Sequence, residues 1–237
     1  MILLGYYLAM LGVADATRGL PRGRQRWGAL RGLLLALLVG VLGVQLTGID
    51  PLVMLVPFVF TVAWVTSTPG GRASTRWPLL ALLVSLAGIA YLSLSVATPG
   101  PLDEWLATSA APVDATRVVL LLGCGLVLLE TANIVVRLVL ASESSARSDL
   151  SEDSSDLKGG RIIGPLERLM VFGLAAAGQF AAIGGVLAAK GVVRFPELSR
   201  SVRKRKTGEA PSKDPEYFLI GSLASWGIAL LASLLLR

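Results

Sequence analysis

Residues 175–190 read AAAGQFAAIGGVLAAK. The stretch is apolar on both sides of Gly178-Gln179, so the chain either crosses a membrane once through it or turns back at that pair. Small residues recur at every fourth position: Gly173, Ala177, Ala181, Gly185 and Ala189. On an α-helix that spacing makes one slowly drifting stripe, the small-xxx-small pattern that lets membrane helices pack closely. A hairpin at Gly178 would cut the stripe in half. Each arm would also reach only roughly 15–17 Å at 1.5 Å per residue, about half of the bilayer core. The pattern therefore predicts a single helix over 166–189, with the five small residues as its packing face and Gln179 in an interhelical hydrogen bond.

The composition around this stretch agrees with a membrane setting. Of 237 residues, 54% are hydrophobic and only 16% charged, against about 25% charged in a soluble domain. A helix needs about 20 apolar residues to cross a bilayer core of roughly 30 Å. Apolar segments fall at 1–14, 28–47, 51–66, 78–97, 118–141, 166–189 and 217–236, the third being short and carrying Pro57. The fold class expected is an all-α, polytopic integral membrane bundle of six or seven membrane segments. The opening MILLGYYLAMLGVADA lacks the basic n-region of a signal peptide and reads as a retained first span.

Three regions follow from the charge pattern. Residues 1–141 carry the N-terminal membrane helices. Residues 142–161, SESSARSDLSEDSSDLKGGR, hold seven serines and five acids against three bases, too little apolar surface to fold alone, and read as a flexible linker. Residues 162–237 read as a two-helix membrane module with a basic loop at 194–213. Basic residues also crowd 17–31, and both basic stretches should face the cytoplasm. Five apolar segments separate them, an odd number, so a one-crossing reading of every segment leaves a conflict. A short Pro57 segment that dips without crossing is the preferred escape.

The net charge of +6 belongs to these loops, where Lys and Arg set orientation and touch anionic headgroups. No folded basic domain is visible, so nucleic acid is not an expected partner. The chain has one cysteine and no histidine, which removes an intrachain disulfide and the commonest zinc and haem ligand. No metal site and no cofactor is expected. Cys124, between two glycines, reads as a buried inert thiol.

The candidate ligand-binding residues are the charges inside or beside the spans. Glu130, Asn133 and Arg137 lie three and four apart, on one face of the fifth segment, with Glu130 near its middle. An intramembrane charge is costly and points to function with a named partner; Arg137, bridged by Asn133 or water, is that partner. The alternative is polar glue for helix packing. Glu167 and Arg168 open the sixth segment, and Lys190 and Arg194 close it. On a continuous helix, Glu167 and Lys190 would be roughly 35 Å apart and could not share a site. Lys190 and Arg194, four apart, could hold a phosphate or carboxylate together, or simply anchor the helix by snorkelling. Glu216, just before the last span, is placed to pair with one of them.

GRIIGPLERL, then GQFAAIGGVLAAKGVVRFPEL, then EYFLIGSLASWGIALL, over residues 160–232, resemble the C-terminal signature of a bacterial multi-pass membrane-protein family of unknown function. The resemblance implies a bacterial cytoplasmic-membrane location and polar family positions at Glu167, Arg168, Lys190, Arg194, Glu216 and Tyr217. Family members carry a His and an Asp in the first span; here Asp15 corresponds and the histidine is missing. The resemblance implies no activity.

The expected function is a non-catalytic membrane protein that binds, or moves, an anionic lipid or small solute. An accessory or scaffold subunit docking through the 173–189 stripe onto a membrane partner or a second copy is the alternative. An enzyme acting on a lipid phosphate comes third, for want of a nameable base and nucleophile.

Overall fold

A helix apolar on every side has no face for water and must be surrounded by protein or lipid. The first helix, α1 (Ile2–Ala16), is of this kind, and all its residues but Val13 and Ala16 are buried. Its cover comes from four others: α2 (Gln25–Thr47), α3 (Pro51–Ser67), α4 (Trp77–Ser95) and α6 (Ala115–Leu129). The short α5 (Pro101–Ala107) leans on α2 and α6, and α7 (Thr131–Ser144) follows α6. The chain ends with α8 (Gly160–Ala176), α9 (Phe180–Arg205) and α10 (Asp214–Leu234). The computed structural model describes residues 1–17, 25–68, 77–96, 100–108, 114–144, 160–205 and 214–237, and every element among them is helical. They fall into two compact units, Met1–Leu138 and Val139–Leu235, divided within α7.

In the N-terminal unit, α1 and α6 touch backbone to backbone. A Cβ added to Gly12 would lie 2.5 Å from the Leu126 carbonyl carbon, and one on Gly5 would lie 3.0 Å from the Leu120 nitrogen. Gly123 reciprocates, its missing Cβ leaving room for the Gly5 carbonyl. Since Gly5 meets Val119 and Leu120 while Gly12 meets Leu126, the two helices run parallel, in step. Buried hydrogen bonds tie α1 to its other neighbours. Tyr7 and Ser85 share one of 2.7 Å with α4, and the Trp64 indole donates to Asp15 at 2.9 Å from α3. Asp50 caps α3, accepting from the Leu52 amide.

The outer faces are greasy. Leu34, Leu38 and Leu42 on α2 and Leu80, Leu83 and Val84 on α4 are exposed. Among the described residues two helices are long and apolar enough to cross a membrane, Trp27–Thr47 and Trp77–Ser95, and both spans begin with an exposed tryptophan, the residue that anchors span ends at the interface. The 118–141 segment is not one straight helix. It breaks at Glu130 and bends by 47°, and counting the bent pair as one span makes three. The segments at 1–14, 51–66 and 217–236 are apolar helices shorter than those.

The C-terminal unit overturns the single-helix reading of 166–189. Helix α8 stops at Ala176 and α9 begins at Phe180. Gly178 takes φ +74°, its N–H donates to the Ala175 carbonyl at 3.1 Å, and the Gln179 N–H reaches the Leu174 carbonyl at 2.8 Å. That pair of bonds around a left-handed glycine is a Schellman motif, which ends a helix by satisfying its last carbonyls. The chain turns there, and α8 packs on both α9 and α10. Gln179 is exposed at the turn, with no interhelical hydrogen bond among the described residues.

Two further boundaries differ from the sequence reading. The stretch expected as a linker over 142–161 is helical at both described ends, to Ser144 and from Gly160, and residues 145–159 lie outside the described residues. Residues 194–205, read as a loop, continue α9, consistent with the good helix propensity of Arg and Lys. The basic residues at 18, 22, 24, 72 and 76 and the rest of the 194–213 stretch, 206–213, also lie outside the description.

Candidate functional site

The turn at Gly178 decides which side chains meet. Glu167 stands eleven residues before Gly178 and Lys190 twelve after it. Two antiparallel arms of equal length bring such positions opposite each other, and the Lys190 ammonium forms an ion pair with the Glu167 carboxylate. The expected separation of roughly 35 Å belonged to a straight helix and does not hold. The pair is mostly shielded, with 21% of the lysine side chain and 18% of the glutamate exposed. Lys190 also lies 5.2 Å from the centre of the Trp226 ring on α10, within cation–π range.

Arg168, one residue on, points the other way, into the contact between α8 and α10. It is 2% exposed and donates through Nη1 to the Ser225 hydroxyl at 3.2 Å. A guanidinium removed from water needs hydrogen bonds of this kind to be tolerated. Ser222, one turn before Ser225, is buried on the same stretch of α10. Glu167, Arg168 and Lys190, three charges from two helices, thus gather midway along α8 and α9, at the open end of the apolar part of the hairpin, against Ser225 and Trp226. Arg194 is one helical turn beyond Lys190 on α9, and Glu216 and Tyr217 lie in the first turn of α10; the side chains of all three fall outside the described residues.

The charge of the whole chain is concentrated here. Residues 160–237 carry eleven bases against five acids, while residues 1–159 carry eleven of each. The formal +6 therefore resides wholly in the C-terminal module.

The small-residue stripe does not form a packing face inside this unit. Gly173 is on α8, Ala177 is in the turn, and Ala181, Gly185 and Ala189 are on α9. All five are exposed, and a Cβ on Gly173 or Gly185 would meet nothing within 4 Å. Continuity of the stripe was an artefact of reading through the Schellman turn.

In the N-terminal unit, Glu130, Asn133 and Arg137 do come together. The Asn133 amide donates to Glu130 Oε2 at 3.2 Å, and Arg137 Nη2 stands 3.8 Å from Glu130 Oε1. They do so at a helix break rather than on one regular face, since Glu130 terminates α6 with φ −125° and ψ −41°. Asn133 also donates to the Leu129 carbonyl at 3.2 Å. Cys124 is buried and in no disulfide.

Sequence reasoning passed over two participants and reached a third, Asp15, only through the family resemblance. Ser225 and Trp226 sit in an apolar final span, and nothing short of the fold shows that they face α8 and α9. Asp15 carried a readable signal, as the one acid in an otherwise apolar first helix; it is fully buried, under the Trp64 indole. Among the described residues no group of three or more His, Cys, Asp or Glu side chains is arranged to hold a metal ion.

No family model matches the chain, and neither a curated protein nor a solved structure is significantly similar to it.

Proposed function

We propose that this is an integral protein of a bacterial cytoplasmic membrane that binds the headgroup of an anionic phospholipid at the open end of the α8–α9 hairpin. The observation that carries the reading is Lys190, partly exposed, held by Glu167 and Trp226 where the module with all the excess positive charge begins. Lys190 supplies the contact to phosphate, Arg194 follows one turn later, and Arg168 fixes α10 beside them through Ser225. Polybasic segments at a cytoplasmic surface attract anionic lipid by about 1 kcal/mol per Lys or Arg. The C-terminal signature that includes Glu167, Arg168 and Lys190 supports membership of the family it resembles.

The same reading makes the hairpin re-entrant. The apolar arms from the turn to Glu167 and Lys190, eleven and twelve residues, reach about 17 Å, enough to enter the bilayer core and return but not to cross it. Helices α1, α2, α3, α4, the bent α6–α7 pair and α10 are then six crossings, and the hairpin is the seventh membrane segment. Between the basic stretches at 17–31 and 194–213 lie α2, α3, α4 and α6–α7, an even number, so both fall on the cytoplasmic side. Arg72 and Arg76 join them, which leaves Pro57 inside a crossing helix. The acidic linker shares that side without penalty, because acidic residues contribute little to the rule.

The test is lipid retention. Purified protein in detergent is titrated with phosphatidylglycerol or phosphatidylcholine, and bound lipid is counted by native mass spectrometry. Phosphatidylglycerol is expected to bind at least tenfold more tightly, Lys190→Gln to remove that preference, and Lys190→Arg to keep it. Inorganic phosphate at millimolar concentration should not compete if the ligand is a lipid; competition would point to a soluble anion at the same residues. Equal retention of the two lipids by the unaltered protein would sink the reading.

A further inference from the structure

The break at Glu130 is a second polar feature, in the N-terminal unit, and the headgroup reading makes no use of it. Discontinuous membrane helices expose half-helix ends and free carbonyls, and such ends are where coupling ions are held. Here α6 ends at Leu129, α7 starts at Thr131, and the residue between them is an acid whose side chain is 19% exposed. Its carboxylate takes a hydrogen bond from Asn133 on Oε2, while its counter-charge, Arg137, stands off at 3.8 Å from Oε1 with 54% of its side chain exposed. The pair is in Coulombic range but too long for a hydrogen bond.

The neighbouring hydroxyl supplies the independent observation. Thr131 is 1% exposed, and its Oγ1 is buried with no hydrogen-bond partner. Four other threonines have partners. Thr47, Thr61 and Thr66 each donate to the carbonyl four residues back, and Thr68 at the end of α3 does the same. A buried hydroxyl without a partner costs roughly 1–3 kcal/mol unless something fills the gap. Thr131, the residue after Glu130, therefore carries a dry oxygen with no partner at the helix break. The parallel register of α1 and α6 adds a second acid at the same level: Gly12 meets Leu126, which carries Asp15, three residues on, to the height of Leu129 and Glu130.

We propose that Glu130 and Thr131 bind a small monovalent cation, with Arg137 as a tethered counter-ion that the incoming cation displaces. One carboxylate balances a single positive charge, with the hydroxyl as a neutral ligand and water completing the shell; a divalent ion such as Ca²⁺ usually takes several carboxylates. The loose geometry of Arg137 fits a group that vacates the site, and its exposure gives it somewhere to go. Asp15 faces α3 through Trp64, and Arg137 faces Glu130.

The probe is Na⁺. Thermal unfolding of the purified, full-length protein in detergent is followed at constant ionic strength while NaCl replaces N-methylglucamine chloride. A saturable rise of the midpoint with Na⁺ is expected, as for any ligand that binds the folded state alone. Thr131→Val, which keeps the shape, should raise the half-saturating Na⁺ concentration about tenfold, a loss of about 1.4 kcal/mol. Arg137→Gln should lower it by a similar factor, because the competitor is gone, and Glu130→Gln should abolish the response. The same midpoint in both salts, or a Na⁺ response undiminished in Glu130→Gln, would overturn the proposal. So would an Arg137→Gln variant no more sensitive to Na⁺ than the parent, which tests the displacement even if Glu130→Gln does not fold.

Discussion

A leucine at position 12 is expected to destabilise the N-terminal unit by up to about 3 kcal/mol. The added Cβ alone would sit 2.5 Å from the carbonyl carbon of Leu126 and 2.8 Å from its oxygen. Those atoms are backbone and cannot swing aside like the end of a flexible side chain, so α6 must move away from α1. Overpacking of this kind costs about 1–3 kcal/mol, and the upper end applies because α1 is the buried centre on which α2, α3, α4 and α6 all rest. A loss of 3 kcal/mol lowers the midpoint of a protein of this size by about 10 °C. Gly88→Leu is the matched control: it lies on α4, is exposed, and has nothing within 4 Å of its missing Cβ. Circular dichroism melts in detergent should show a shift within about 2 °C for that variant. Equal melting of the two variants would mean that α1 and α6 are not in backbone contact.

Reversing the charge at position 190 should be nearly as damaging, and it bears on the hairpin directly. Lys190→Glu would face Glu167 with a second carboxylate in a place where both side chains are about four-fifths shielded. Removing one partner of a buried pair costs about 3–5 kcal/mol, and partial exposure here brings the expectation down to about 2–3 kcal/mol. The reverse change Glu167→Lys, combined with it, should restore most of the ion pair but not the stacking of a cation on Trp226, worth about 1 kcal/mol at a partly exposed site. The double variant is therefore expected to melt well above Lys190→Glu and slightly below the parent. On a straight helix the two positions would be roughly 35 Å apart, and effects at that distance add. A coupling energy indistinguishable from zero would remove the ion pair from the account.

Some of this architecture is visible in the residues themselves. Uninterrupted apolar runs with segregated charge mark membrane-compatible helices without any knowledge of tertiary contacts, because the environment is bulk solvent of a different kind. Where helices stop was harder. Ala-Ala-Ala-Gly-Gln-Phe carries the glycine of a Schellman motif at Gly178, but a stripe of small residues at fourfold spacing argues for continuity, and the two signals conflict. The glycine wins because its left-handed conformation satisfies carbonyls that would otherwise be orphaned, and because the turn lets Lys190 neutralise Glu167. The stripe has no such gain, since small side chains attract nothing unless a neighbour is present.

Small residues do mediate the close helix contact of this protein, at Gly5, Gly12 and Gly123. The first two recur seven apart within a readable helix, yet their partner lies more than a hundred residues away, a distance that no local pattern bridges. The site residues divide the same way. Glu130, Asn133 and Arg137 are close in sequence and could be grouped by spacing alone. Glu167 and Lys190 could be paired only by knowing the turn, and Ser225, Trp226 and the Asp15–Trp64 bond only by knowing the packing.

The measurement that tests the central claim most directly is the sidedness of the two ends of the hairpin. In a Cys124→Ala background, single cysteines at Asp153 and Arg205 are treated in intact cells with a membrane-impermeant maleimide, with Thr108→Cys as the external control. A hairpin that enters and returns leaves positions 153 and 205 both unlabelled until the cells are opened, while position 108 labels from outside. If position 205 labels in intact cells and position 153 does not, residues 166–189 cross the membrane. Glu167 and Lys190 would then belong to opposite faces, and the headgroup site at the open end would not exist.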